Sequence, residues 1–233
     1  MAGKRPNPDR RALSMAAASV VFAPAIAWTQ ADKGAEMLVP VLRETVGGNK
    51  QDEILTPLGP LRFTDSEGKE NSVELAAFNY IGDMHVRFVF DAPTTMQNAT
   101  PEDFVRLNLN AQSALSLAIG NLKRLYGEPT TSTLMGRLMQ VTGKEDNFNS
   151  SYFLDRDLWR GLTRRNHEGV VVGVPKRGVL LYAAAADTES VNALRASIAG
   201  LHESSGQLRV SSGLYLFKDD RWSVFQAPIG GGR

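Results

Sequence analysis

Cysteine is absent from the 233-residue chain. That excludes disulfides, thiolate metal centres, a cysteine nucleophile and a lipid anchor on an amino-terminal cysteine. Histidine is scarce, with His85, His167 and His202 as the only three. No Gly-x-Ser-x-Gly elbow and no phosphate-loop pattern occurs, so two common routes to hydrolysis are missing. An excess of one charge is lacking too: 26 basic against 25 acidic side chains give a net +1, and no general field marks nucleic acid as a partner. What remains is ordinary globular composition, 42% hydrophobic and 22% charged with 21 Gly and 11 Pro. At ~100–200 residues per domain this suits a single domain with a substantial core.

The one long uncharged stretch lies near the amino terminus. Lys4, Arg5, Arg10 and Arg11 precede Ala12–Ala27, which carries no charge and ends Ala25-Ile26-Ala27. This is the pattern of an export signal over residues 1–27. Spanning a bilayer takes ~20 predominantly apolar residues, and this stretch is shorter, Ala-rich and interrupted by Pro24. Arg10-Arg11 followed by a weakly apolar run resembles a twin-arginine signal. Cleavage after Ala27 fits the small-x-small rule, with Ala31 as the alternative. The segment holds four of the 26 basic residues and one of the 25 acidic ones, so the remainder is slightly acidic. A periplasmic or secreted soluble protein, with no stable membrane insertion after signal removal, is expected.

Along residues 28–228 the pattern predicts one α+β domain with mixed, mainly antiparallel sheet, dividing into two lobes near 127–132 if it divides at all. Residues 229–233 read as a flexible tail. Asp32 is placed to cap a helix over Lys33–Thr45, closed by Gly47-Gly48. Ile54–Phe63, broken by Pro57, Gly59 and Pro60, reads as two short edge segments. Val73–Tyr80 and Met84–Phe90 form a hairpin in which Val86, Phe88 and Phe90 alternate with Arg87 and Val89. Thr100-Pro101-Glu102-Asp103 starts one helix, and Asn110 caps a second over Ala111–Tyr126, stopped by Gly127. Leu134–Val141 and Phe148–Leu154 read as strands, and Asp155 caps a short helix carrying Leu158, Trp159 and Leu162. Gly169–Val174 and Val179–Ala184 are apolar arms of a central hairpin. Thr188–Glu203 is an amphipathic helix, and a last hairpin pairs Gly213–Phe217 with Trp222–Phe225. Alternating hairpins and helices, without regular strand-helix-strand spacing, give the α+β class.

The stretch from Asn149-Ser150-Ser151-Tyr152-Phe153-Leu154-Asp155 through Trp159, continuing over Val170–Leu181, resembles the YtpQ-like family of bacterial proteins of unknown function. Leu38-Val39-Pro40-Val41-Leu42-Arg43, the strand leading to Asp91, and Thr100-Pro101-Glu102-Asp103 agree in order. The resemblance implies a fold more than an activity. Two departures stand out. The family turn Pro-x-Arg-Asp reads Pro175-Lys176-Arg177-Gly178 here, which removes its carboxylate, and the family is mainly cytosolic whereas this chain begins with an export pattern.

Three sets of side chains can be weighed as sites. Ser150 or Ser151 with His167 and Asp155 or Asp157 is the best available nucleophile set, and gives a periplasmic hydrolase as one reading. Ordinary strand, cap and surface positions explain the same residues. Lys176 and Arg177 at a hairpin tip, with Arg164 beside Arg160 and Arg165 on the preceding helix, offer guanidinium groups that bind phosphate or carboxylate. Metal ligands do not cluster in the sequence, and no cofactor is expected. Trp159 and Trp222 read as core anchors. The preferred expectation is therefore an exported, non-catalytic protein that binds a partner protein, peptide or small anion, with the hydrolase and the Lys176/Arg177 anion site as alternatives.

Overall fold

The computed structural model describes residues 33–64, 66–134 and 136–230. The export pattern with Arg10, Arg11, Ala25 and Ala27, both cleavage positions, the Asp32 cap and residues 231–233 lie outside the described residues. Helices and antiparallel sheets make up the fold, which is the expected α+β class.

The first sheet is built from β1 (Leu38–Glu44), β2 (Thr56–Pro57), β5 (Ala77–Asn79), β6 (Met84–Ala92) and β7 (Thr95–Asn98), in the order β1-β6-β5-β2 with β7 also on β6. A helix over Lys33–Thr45 does not form. Only a single 3-10 turn, Ala35–Met37, precedes β1. Pro40 is the physical reason: inside a helix its ring would meet the preceding turn and remove a hydrogen bond, whereas a sheet edge accepts it. The pairing of Val73–Tyr80 with Met84–Phe90 also needs revision. Ala77–Asn79 pairs with β6, but Val73 ends β4 (Glu70–Val73), which pairs with β3 (Leu61–Thr64) in a separate two-stranded sheet.

Two helices follow, with the expected caps. α1 (Pro101–Arg106) is closed by a reciprocal pair in which Asp103 N donates to Thr100 Oγ1 and Thr100 N donates to Asp103 Oδ2. α2 (Ala111–Tyr126) begins at Asn110, whose side chain accepts from Ser113 N. α2 packs on β1, burying Ala114, Ala118 and Leu122. Its buried Asn121 donates from Nδ2 to the carbonyls of Ala35 (2.8 Å) and Leu38 (3.0 Å). These bonds tie the turn before β1 to the helix.

The second sheet has the order β13-β12-β10-β11-β9-β8. Its strands are β8 (Thr130–Leu134), β9 (Leu138–Thr142), β10 (Val170–Gly173), β11 (Leu181–Ala184), β12 (Leu214–Lys218) and β13 (Arg221–Gln226). β10 and β11 are central and wholly apolar, as their sequence requires. Leu134–Val141, by contrast, is two strands. Gly136, at φ 70°, turns the chain between Leu134 and Leu138, so β8 and β9 form a hairpin of their own. α3 (Arg156–Thr163), capped by Asp155, and α4 (Thr188–Glu203), capped by Asp187, pack on this sheet. Ile229 N donates to Ser212 Oγ at 2.8 Å, so the chain is still tied to the domain at that point.

Phe148–Leu154 is not a strand. Residues Asp146–Leu154 form a 3-10 segment in which Phe148 through Leu154 are all buried. It contacts both β1 and β9. Phe148 stacks on Tyr126 of α2 at 4.6 Å, and Phe153 stacks on Trp222 at 4.1 Å. Tyr80, Trp159 and Tyr215 complete the aromatic group around Phe153. Trp159 is fully buried and donates from Nε1 to Phe153 O at 2.8 Å. Replacing a buried Trp by Ala costs ~3–5 kcal/mol, so Trp159→Ala is expected to lose about that much in urea unfolding. A loss below ~1 kcal/mol would show that the cluster does not hold the domain together.

Candidate functional site

The serine set is not assembled. Ser150 and Ser151 lie within the 3-10 segment, 2% and 1% exposed. Ser150 Oγ accepts from Gly178 N at 3.4 Å, in the turn after β10. His167 is exposed in the loop before β10, at the other end of that strand. Ser151 Oγ is buried with no hydrogen-bond partner among the described residues. Asp155 caps α3 through Asp157 N (3.2 Å) and pairs with Lys123 at 3.5 Å. A nucleophile, a base and an orienting acid therefore do not meet here. Among the described residues no group of three His, Asp or Glu side chains could hold a metal ion.

The basic set is divided as well. Arg160 is engaged by Asp220 through two bonds of 2.9 Å, Nε to Oδ1 and Nη2 to Oδ2. Arg164 follows α3, ahead of β10, while Lys176 and Arg177 follow β10, so the strand separates them. Lys176 lines a cleft of about 300 Å³ with Val179, Leu181 and Leu201. Arg177 instead lies near enough for its charge to disfavour that of Arg43.

That last relation reveals a cluster that sequence reasoning missed. Arg43 of β1 lies directly opposite His85 of β6, and His85 lies opposite Asn79 of β5. Because side chains alternate along a strand, Arg43, His85, Arg87 and Asn79 share one face of the sheet. Arg177 is brought to Arg43 by the turn Pro175–Gly178. That turn is fixed from two sides. Arg177 N donates to Leu208 O (2.9 Å) and Val210 N to Pro175 O (3.1 Å), while Gly178 N rests on Ser150. Gly178 has φ 80°, and a Cβ there would stand 2.9 Å from Asp146 O. Glycine at this position follows from the turn's seat on the 3-10 segment, where an aspartate would be strained.

The electrostatics of the cluster are one-sided. Among the described residues no carboxylate lies within ion-pair distance of Arg43, Arg87 or Arg177, although all three are half-buried. Burial first, then the charges of Arg177 and Arg87, push the Arg43 guanidinium down to about 10. Arg87 is lowered by burial. His85, 2% exposed, is pushed down to about 3 by burial and by Arg87 and Arg43, so it is neutral. Arg87 Nε donates to His85 Nε2 at 2.9 Å, which places the imidazole proton on Nδ1, 2.9 Å from Thr45 Oγ1. Thr45 Oγ1 in turn donates to Asn79 Oδ1 at 3.5 Å. This relay orients Arg87, whose terminal nitrogens have no hydrogen-bond partner among the described residues. Arg43 gives one bond to a carbonyl, from Nη1 to Leu42 O at 2.8 Å.

A signal for this site was present in the strand pattern. Arg87 interrupts the apolar β6 on the side opposite Val86, Phe88 and Phe90, and His85 is two residues away on the same side. Arg43 was concealed by the helical reading of its segment. Comparison of the chain with protein-family models, with curated proteins and with solved structures finds no match.

Two positions before His85 in the chain lies a buried acid, Asp83. Asp83 Oδ1 accepts from Tyr215 Oη at 3.1 Å, and Ser211 Oγ and Tyr215 Oη are 2.7 Å apart. Burial raises Asp83 to about 6, against the opposing hydrogen bonds from Ser211 and Tyr215. The two residues have opposite linkage. Folded His85 resists the proton that the unfolded chain takes up below about pH 6.5, so its contribution to stability is lost as pH falls towards 3. Folded Asp83 holds its proton up to about pH 6, so its contribution favours folding on acidification from pH 6 towards 4. His85→Gln is therefore expected to retain ~2 kcal/mol more stability than wild type between about pH 7.5 and pH 5. Urea unfolding at both pH values gives the comparison. Identical losses in the two proteins would contradict a neutral, proton-resisting His85.

Proposed function

We propose that this chain is an exported, non-catalytic binding protein that holds an anionic group of its ligand between Arg43, Arg87 and Arg177. The observation that carries this reading is the placing of half-buried Arg43 and Arg87 on one sheet face, with the charge of Arg177 acting on Arg43 and no ion-pairing acid on any of the three among the described residues. Like charges held together in partial burial cost stability, and these three arginines lack the carboxylate that Arg156 and Arg160 have among the described residues. An anion supplies the missing partner, and forked guanidinium donors suit it. Support for a binding rather than a chemical role comes from the rest of the molecule. His85 serves to orient Arg87, and the serines that sequence singled out are buried away from His167. The proposal of export rests on Arg10-Arg11 and the uncharged Ala12–Ala27. No helix among the described residues is long and apolar enough to cross a membrane. The kinship with the YtpQ-like family remains a proposal carried by the short segments named above.

Isothermal titration with citrate and with inorganic phosphate tests this reading. Binding of at least one is expected, weakening several-fold when NaCl rises from about 50 to about 300 mM. Arg177→Ala, a turn residue whose side chain makes no hydrogen bond or ion pair among the described residues, is expected to weaken it about ten-fold. The same cluster predicts a gain elsewhere. Arg177→Ala removes a like-charge contact and is expected to melt at or above the wild-type temperature in low salt. Absence of binding to both anions, or unchanged binding by the variant, would overturn the proposal.

A further inference from the structure

We propose that the cleft between the end of α2, the start of β8 and α3 binds a small zwitterion of the amino-acid type, with its ammonium group on Asp155 and its carboxylate on Arg165. This site is separate from Arg43, Arg87 and Arg177 and does not rest on the anion-binding reading.

The cleft has a volume of about 450 Å³, and its walls include Lys123, Pro129, Asp155, Leu158, Gly161 and Arg165. Asp155 is 2% exposed, and only half of its carboxylate is used. Oδ1 accepts from Asp157 N at 3.2 Å, which caps α3. Oδ2 has no hydrogen-bond partner among the described residues. Lys123 Nζ stands 3.5 Å from Oδ2, an ion pair without the geometry of a bond, and is closer, at 2.9 Å, to the exposed Glu128. A buried carboxylate oxygen without a donor costs stability, and a ligand ammonium supplies the donor. Burial raises the Asp155 carboxyl above its ordinary value, against the charge of Lys123. A second cation beside it stabilises the charged form.

Arg165 is the complementary group. It is exposed, and its side chain makes no hydrogen bond or ion pair among the described residues. Arg160 of the same helix, by contrast, pairs with Asp157 and Asp220. Positions 155, 158, 162 and 165 recur at intervals of three and four and so follow one face of the helix. The helical turn continues to Arg165, whose N donates to Leu162 O at 3.3 Å. The stripe therefore has an acid at one end, an arginine at the other and Leu158 and Leu162 between them, all in the wall of one cleft. Ten residues of helix span about 15 Å, and an arginine side chain, leaning toward the amino terminus as helical side chains do, closes much of that distance. The gap suits a single molecule that carries both charges and an apolar part.

Gly161 bears on the same wall. It lies inside α3, where glycine costs stability relative to alanine. Its φ is not positive, and an added Cβ would meet nothing within 4 Å. Neither backbone conformation nor packing requires glycine there, and its missing side chain keeps the cleft open.

Ligand-observed NMR titration at about pH 7.5, where amino and carboxyl groups of the probes are ionised, tests the site with three probes on one carbon skeleton. Leucine carries both charges, 3-methylbutylamine lacks the carboxylate and 4-methylpentanoate lacks the ammonium. Leucine is expected to bind with a Kd of about 1 mM or tighter, and each partial probe about ten-fold more weakly. Asp155→Asn keeps a capping side chain and removes the charge; it is expected to lower leucine affinity about ten-fold and leave 4-methylpentanoate unchanged. Arg165→Gln is expected to do the same to leucine and leave 3-methylbutylamine unchanged. Gly161→Leu is expected to abolish leucine binding while melting at or above the wild-type temperature, which separates a filled cleft from an unfolded one. Arg177→Ala should bind leucine as wild type does. Either partial probe matching leucine would overturn the zwitterion assignment. Leucine failing to bind the wild-type protein, binding undiminished to Gly161→Leu, or losing affinity in Arg177→Ala would overturn the site itself.

Discussion

Burial of seven consecutive residues, Phe148 to Leu154, is the constraint on which the rest of the structure depends. A chain can be buried without interruption only if it has partners on every side, and this segment finds them in β1, β9, α2 and the aromatic group around Trp159. Phe148 reaches one way, to Tyr126, and Phe153 the other, to Trp222 and Tyr215. The strands of the first sheet all precede Gly127 and those of the second all follow it, yet one hydrophobic cluster runs through residues of both. The 3-10 segment joins the sheets because its side chains are shared between them. It also fixes the site. Ser150 and the backbone at Asp146 form the seat of the Pro175–Gly178 turn, and the seat determines where Arg177 stands relative to Arg43.

The cluster is therefore imposed by the fold rather than tolerated by a flexible surface. Arg43 and Arg87 are fixed by strand register, and Arg177 by a turn with backbone bonds to Leu208 and Val210. A mobile arginine would relieve repulsion by swinging into solvent. Here half-burial lowers Arg43 instead, which is the sign of charge retained against its own preference. Local destabilisation of this kind is common where binding groups are pre-organised, because the ligand rather than the protein supplies the compensating charge. The neutral His85 belongs to the same logic. It takes no charge, yet it fixes one edge of Arg87 and leaves the other edge open.

How much of this was legible in the residues varied with the physics. Capped helices were read correctly because their signals are local: Thr100, Asn110 and Asp155 each satisfy backbone donors within a few positions. The central hairpin of β10 and β11 was legible from its unbroken apolar runs. Failures came where tertiary packing decides. Phe148–Leu154 has the composition of a strand, but its burial on all sides depends on elements far away in sequence. Leu38–Glu44 has helical spacing, and only the weight given to Pro40 separates the two readings. Of the candidate site, Arg177 was named from the sequence and its partners were not. Arg43 and Arg87 lie 134 and 90 positions before it in the chain, and no local spacing announces a contact made by two sheets docking on a common segment.

Crystals soaked in sodium tungstate give the most direct measurement of the central claim, because tungstate is a tetrahedral dianion with strong anomalous scattering. An anomalous peak is expected within hydrogen-bonding distance of guanidinium nitrogens from Arg43, Arg87 and Arg177 together. His85 is expected to keep its bonds to Arg87 and Thr45. A map without density between the three arginines, or with each of them turned to a separate carboxylate, would contradict it.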